Sequence, residues 1–228
     1  FGDLYKFNKQ IFEQSYKFYI KKVSKILNQT GININTSPVL DILRKDSNKI
    51  IGDRSYSENH RLVSKIGNKC IKLFAKNNIA TVMKHIPGHG LAKSDSHKKL
   101  PIIKNKMKEL EKRDFYPFKN CKPFFAMTAH IVYHDYDPKY VATQSKTVIN
   151  KIIRKKIGFK GLLISDDISM KALKFKLEEN AIRALNAGCN LILHCNANPE
   201  EMRKLINIVP YIDKFAIKKT TQFYQFLG

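Results

Sequence analysis

Gly158-Phe159-Lys160-Gly161-Leu162-Leu163-Ile164-Ser165-Asp166-Asp167-Ile168-Ser169-Met170 is the stretch on which the fold turns. Its apolar centre, 161–165, has the length of a buried strand and delivers two carboxylates to its carboxyl end. The rest of the chain repeats that arrangement. Short apolar runs alternate with longer amphipathic ones, the pattern of an α/β protein with a parallel sheet. Strands predicted over 32–40, 79–84, 123–129 and 161–165 run into Asp41, Lys84 with His85, His130 and Asp166. A further strand is predicted over 190–194. Helices are predicted over 4–29, 57–77, 106–120, 145–157, 177–187, 199–208 and 212–226, with Ser145 an N-cap and Gly31 and Gly188 as C-terminal stops. In parallel α/β folds the carboxyl ends of the strands face one way and carry the site. A doubly wound sheet would meet that rule too. A barrel fits better, because no Gly-x-Gly-x-x-Gly fingerprint follows an early strand.

Composition narrows the class. A hydrophobic share of 43% over 228 residues suits one globular domain spanning 1–228, with no internal boundary. No run approaches the roughly 20 apolar residues of a membrane span. The four cysteines, Cys70, Cys121, Cys189 and Cys195, contain no Cys-x-x-Cys pair and read as free thiols in a reducing compartment, hence a cytoplasmic location. The net charge of +23 comes mostly from Lys spread along the whole chain, without interleaved exposed aromatics. That is a compositional bias and predicts no specific nucleic-acid partner, although an anionic surface or polymer would be attracted.

Two clusters carry candidate chemistry. The first is Lys84-His85-Ile86-Pro87-Gly88-His89-Gly90 with Ser94-Asp95-Ser96-His97. His85 and His89 are four apart, a metal-ligand spacing only on a helix, and Pro87-Gly88 opposes a helix there. No metal or other cofactor is expected. Asp95 and His97 can point the same way in an extended loop, where a carboxylate would orient the imidazole and raise its basicity. Spacing alone favours the plainer alternative, a polar surface loop with a local hydrogen bond. The second cluster is Asp166-Asp167. A nucleophilic carboxylate must be fixed, partly desolvated and open to substrate, which a strand end supplies. Asp166 is the better candidate; Asp167 or Ser169 would cap the following helix.

These clusters together resemble the glycoside hydrolase family three enzymes, and within them the bacterial β-N-acetylhexosaminidases of cell-wall recycling. The family pattern Lys-His-Phe-Pro-Gly-His-Gly followed by Asp-Ser-His stands here as 84–90 and 95–97, with Ile86 for Phe. Also similar are Ser37-Pro38-Val39-Leu40-Asp41, Ile51-Gly52-Asp53-Arg54-Ser55-Tyr56, Met127-Thr128-Ala129-His130, the whole of 158–170, and Ala187-Gly188-Cys189-Asn190. The resemblance implies a TIM-type (β/α) barrel and retaining hydrolysis of terminal β-linked N-acetylglucosamine from muropeptides by a monomer. It implies Asp166 as nucleophile, His97 as acid/base, Asp95 as its carboxylate partner, and Arg54, Lys84 and His85 as sugar-binding residues. It also implies two strands ahead of 32–40, the second ending in Asp-Gln-Glu-Gly-Gly-Arg. Nothing here matches that motif, so the barrel is expected to lack its first two strands in this chain. Two rivals stand beside this reading: a glycoside phosphorylase on the same scaffold, and a catalytically inactive sugar-binding fragment.

Overall fold

The computed structural model describes residues 1–44, 51–92 and 100–228. Helices α1 (Gly2–Phe7) and α2 (Lys9–Gln29) lead to a short strand, β1 (Ile34–Asn35), and α3 (His60–Ala75) returns the chain to β2 (Ala80–Ile86). Strand β3 (Ile102–Ile103) precedes α4 (Met107–Lys112), α5 (Tyr116–Asn120), β4 (Phe125–Thr128) and β5 (Val132–Tyr133). A π-type helix (Val148–Lys156) connects to β6 (Leu162–Asp167), which is followed by α6 (Leu177–Ala187), β7 (Leu191–Leu193), α7 (Pro199–Ile208) and α8 (Lys214–Leu227).

Strands β1, β2, β4, β6 and β7 are hydrogen-bonded in that order and all parallel, while β3 and β5 form a separate parallel pair. Strand order that follows chain order without reversal is the topology of a barrel wall; a doubly wound sheet would reverse at a switch point. Among the described residues the wall is open, with β1 and β7 at its edges.

Where prediction and structure differ, local chemistry explains it. The strand expected over 32–40 is interrupted after Asn35, because Pro38 has no N–H to give the ladder. Pairing then resumes: Lys84 donates its N–H to the Pro38 carbonyl at 3.1 Å and Leu40 donates to the Lys84 carbonyl at 2.8 Å. The helix expected over 4–29 divides at Asn8, whose extended backbone and side chain cap α2 through the Ile11 N–H at 3.0 Å. The helix over 106–120 divides before Pro117, which cannot donate to the Arg113 carbonyl. Asn59 caps α3 by accepting from Arg61 and Leu62 N–H, so that helix starts later than expected. Ser145 does accept from the Val148 N–H at 3.0 Å, and α6 and α7 keep the expected limits.

The two sheet faces are covered differently. Met83, Ala126 and Leu163 pack with Val63 of α3, Phe118 of α5, Ile149 and Ile152 of the π-type helix and Ala184 of α6. This is the outer, helix-covered face of a barrel wall. Alternate residues point to the opposite face. There Ala80, Val82, Phe125, Met127 and Leu162 meet Ala216 and Phe223 of α8, with Phe226 and Leu227 alongside. The face that a closed barrel would fill with facing strands is filled here by the C-terminal helix. The Phe223 ring lies 5.2 Å from that of Phe125 in an edge-to-face contact.

Phe223→Ala is therefore expected to lower stability by about 3–5 kcal/mol, the usual range for a buried Phe. Tyr224→Ala, beside it but 68% exposed, should cost under about 0.5 kcal/mol. Urea unfolding of the two variants checks this; equal losses would remove α8 from the core.

Candidate active site at the carboxyl ends of the strands

The rim is organised by Asp41, a fully buried carboxylate just after β1. It accepts the His85 N–H at 3.2 Å and the His89 N–H at 2.6 Å, and its Oδ2 lies 2.7 Å from His85 Nδ1. Since a carboxylate only accepts, His85 Nδ1 carries the hydrogen, which leaves Nε2 as the ring's other functional atom. Burial pushes the Asp41 carboxyl up, but the His85 and His89 contacts outweigh it and hold its pKa below the ordinary value.

The loop that follows β2 is pinned by its backbone as well. Tyr133 donates its hydroxyl to the Gly88 carbonyl at 2.5 Å. Gly90 runs so close to residue 42 that a Cβ would sit 2.2 Å from the Ile42 carbonyl oxygen. His89 is buried and its ring lies 5.6 Å from that of His85. Its Nδ1 has no hydrogen-bond partner among the described residues. Burial first, and His85 beside it, lower its pKa to about 4 against the pull of Asp41. The ring is neutral.

A second network fixes the end of β6. His130, fully buried after β4, places Nε2 2.9 Å from the Asp167 carbonyl and Nδ1 2.7 Å from the Thr143 hydroxyl. The carbonyl can only accept, so Nε2 holds the hydrogen and Thr143 donates to Nδ1. Thr128 reaches the same Thr143 oxygen at 2.8 Å. Burial lowers the His130 pKa, with the opposing pull of Asp166 smaller.

The two carboxylates of β6 have separate duties. Asp167 accepts the Ser169 N–H at 3.1 Å and hydroxyl at 2.7 Å and the Cys195 N–H at 3.3 Å. It holds the turn after β6 and the end of β7 together. Among the described residues Asp166 accepts only the Asp167 N–H, at 2.9 Å. Burial pushes its carboxyl up, yet His85 and His130, with that backbone bond and His89, bring its pKa below the ordinary value. Lys84 lies on the same side: burial lowers its pKa, Asp166 raises it and Arg54 lowers it again. Arg54 ends a short 3₁₀ turn, Gly52–Arg54, and is exposed.

The structure thus gathers Asp166, Lys84, His85 and Arg54 at one rim. Asp95 and His97 lie outside the described residues. Asp41, His89 and His130 stand at the same rim; in the sequence they are marked by their position at or after strand ends and by the segments 37–41, 84–90 and 127–130, with no role assigned to them there. Among the described residues no group of three or more His, Cys, Asp or Glu side chains is placed to hold a metal ion. What remains is an anionic, partly open carboxylate facing imidazoles and cations, an arrangement suited to nucleophilic attack on a polar, hydrogen-bonding substrate.

The pattern of the glycosyl hydrolase family 3 N-terminal domain matches residues 14–220. The β-hexosaminidase of Idiomarina loihiensis is 35% identical over 170 residues, covering 73% of this chain and 51% of that protein. That of Neisseria gonorrhoeae is 36% identical over 175 residues, covering 75% of this chain and 48% of that protein. The chain thus spans about half the length of these curated relatives. Among solved structures, NagZ from Neisseria gonorrhoeae in complex with N-trifluoroacetyl-D-glucosamine superposes with a TM-score of 0.85 at 28% identity, covering 100% of this chain and 65% of that one. A family 3 β-N-acetylglucosaminidase from Paenibacillus sp. gives 0.84 at 29% identity, covering 94% and 43%.

The neutral burial of His89 sets a pH response. Its folded pKa, about 4, lies below the unfolded value of 6.5, so below pH 6.5 the unfolded state binds the proton and the folded state does not. The contribution is complete above pH 6.5 and is lost as pH falls towards 4, by about 3 kcal/mol in all. His130 acts in the same direction. Asp41 contributes above its unfolded pKa, about 3.9, and loses that contribution only as pH falls through its lower folded value. Urea unfolding between about pH 7 and about pH 4.5 should show stability falling with pH. His89→Gln should flatten that slope; an unchanged slope would mean that His89 is not buried neutral.

Proposed function

The chain belongs to the glycosyl hydrolase family 3 N-terminal domain family, and on that premise we propose that it carries the catalytic rim of a retaining β-N-acetylhexosaminidase. Its substrate would be a terminal β-linked N-acetylglucosamine on peptidoglycan fragments. One observation carries the reading: among the described residues Asp166 accepts only the Asp167 N–H and keeps its pKa below the ordinary value, while Asp167 takes over the structural bonds of the turn. A nucleophile must be ionised before substrate arrives and must not be engaged in holding the fold.

In this mechanism Asp166 attacks the anomeric carbon and forms a glycosyl-enzyme, and the aglycone leaves as its oxygen takes a proton. His97, oriented by Asp95, supplies that proton and then removes one from the water that releases the sugar. Lys84, His85 and Arg54 bind the sugar. The hydrogen bond from His85 Nδ1 to Asp41 directs Nε2 towards a substrate hydroxyl. A β-hexosaminidase is what the similar curated proteins are named.

Asp166→Ala should abolish turnover of every substrate, because no covalent intermediate can form. His97→Ala should slow a disaccharide by about 10²–10⁴-fold and spare the glycosylation step of a dinitrophenyl glycoside, whose leaving group needs little protonation. Steady-state kinetics on both substrates, together with mass-spectrometric location of a fluoro-sugar adduct, test these roles. Equal slowing of both substrates would remove His97 as the acid/base. An adduct on another carboxylate would remove Asp166 as the nucleophile.

A further inference from the structure

At the opposite end of the strands from Asp166 lies a second feature. Residues 122–124 enter β4 and 158–161 enter β6, and between them and α8 the surface forms two hollows of about 590 and 490 Å³. Both are lined by Phe159, Lys160 and Lys219, so the two hollows adjoin and form a paired, lysine-lined trough. Lys218 lines the first and Lys122 the second. None of Lys122, Lys160, Lys218 or Lys219 pairs with a carboxylate among the described residues. Among those residues Lys122 bonds only to the Ile157 carbonyl at 3.4 Å and Lys219 only to Gln222 at 3.1 Å. The carboxylate at the trough, Asp213, caps α8 through the Ala216 N–H at 2.6 Å. Arg154, at its base, spends its donors on the Phe159 and Gly161 carbonyls and on Asn190.

We propose that this trough binds a linear polyanion, a polymer with phosphate or carboxylate charges repeating along its backbone, and so tethers the protein while leaving the catalytic rim free. Four cations along one concavity repel one another unless a counter-charge lies between them. Burial lowers the Lys122 pKa, Cys121 opposes it, and the like charges of Lys160 and Lys119 add smaller lowering effects. Concavity favours a thread over a flat anionic bilayer. Single-stranded nucleic acid is less suited, because base stacking needs a succession of open rings; Phe159 is 2% exposed and Phe215, at 39%, offers a single open ring. Ammonium groups act as point charges and do not choose between phosphate and carboxylate.

The test compares two triple variants of equal net charge. Lys122→Gln/Lys160→Gln/Lys219→Gln removes the trough; Lys17→Gln/Lys21→Gln/Lys25→Gln removes three exposed charges from α2. Binding to inorganic polyphosphate and to alginate is measured by titration calorimetry across a salt series, with circular dichroism to verify folding. These two arms separate the phosphate and carboxylate sources. The trough variant should weaken binding at least tenfold and lower the salt slope by about 2, at roughly 0.7 for each anionic group left unneutralised. The α2 variant should change affinity less than threefold. If the trough triple variant does not fold, Lys160→Gln alone should lower the slope by about 0.7. Equal losses in both triple variants would overturn the proposal, leaving net-charge attraction only. Tighter binding of single-stranded DNA or of anionic vesicles than of either polymer would overturn it too.

Discussion

Everything at the rim hangs on one buried carboxylate accepting N–H groups from a distant loop. Asp41 follows β1, and its acceptors are filled by His85 and His89, 44 and 48 residues later. Burying an ion is costly unless hydrogen bonds replace its hydration. Here the backbone bonds and the His85 ring replace it, so the ion is stable only if the loop after β2 takes this one shape. The Asp41 bonds decide how His85 is held at the end of β2, which His85 nitrogen carries the hydrogen, and where the His89 backbone sits. The loop's glycines serve the same constraint: Gly90 allows the backbone to touch residue 42, and Gly88 offers its carbonyl to Tyr133.

A second constraint operates across the rim. His130 is buried with both nitrogens committed, one donating to the Asp167 carbonyl and one accepting from Thr143. Neutral histidines so placed act as fixed dipoles. They need no counter-charge, and the ionised form of Asp166 is favoured by the Asp167 N–H that it accepts. The division of labour between Asp166 and Asp167 follows from geometry. A carboxylate that accepts from Ser169 and from Cys195 is tied to structure, and its neighbour is released from that task.

Much of this is legible in the residues, and the part that is not has a physical cause. The alternation of apolar runs places the parallel strands, and ionisable residues at their ends place the rim. The end of α6 and the start of α7 are readable because Gly188 is a strong local stop and Pro199 a strong helix start. Residues 4–29 and 106–120 read as continuous helices because amphipathic spacing outweighs Asn8 and Pro117, whose effects act on single backbone bonds. The bonds of Asp41 are invisible in the sequence, since a side chain bonding to remote backbone N–H groups leaves no signature in residue type. Periodicity also identifies the last helix but does not say which sheet face it covers.

That last point shapes how the site is supported. In a closed barrel, layers of side chains from all strands fill the interior and brace the rim above them. Here β2, β4 and β6 present Ala80, Val82, Phe125, Met127 and Leu162 to α8. Lys84 stands two residues beyond Val82 on the same strand. The aromatic side of α8, Phe223 with Phe226, therefore acts as the layer beneath the rim. Movement of α8 would reach Lys84 through Val82, and Asp166 through Leu162 and Ile164. Floor and rim are joined along the same strands. They are chemically distinct, because the ionised carboxylate faces one end of the strands while a row of lysines lines the other.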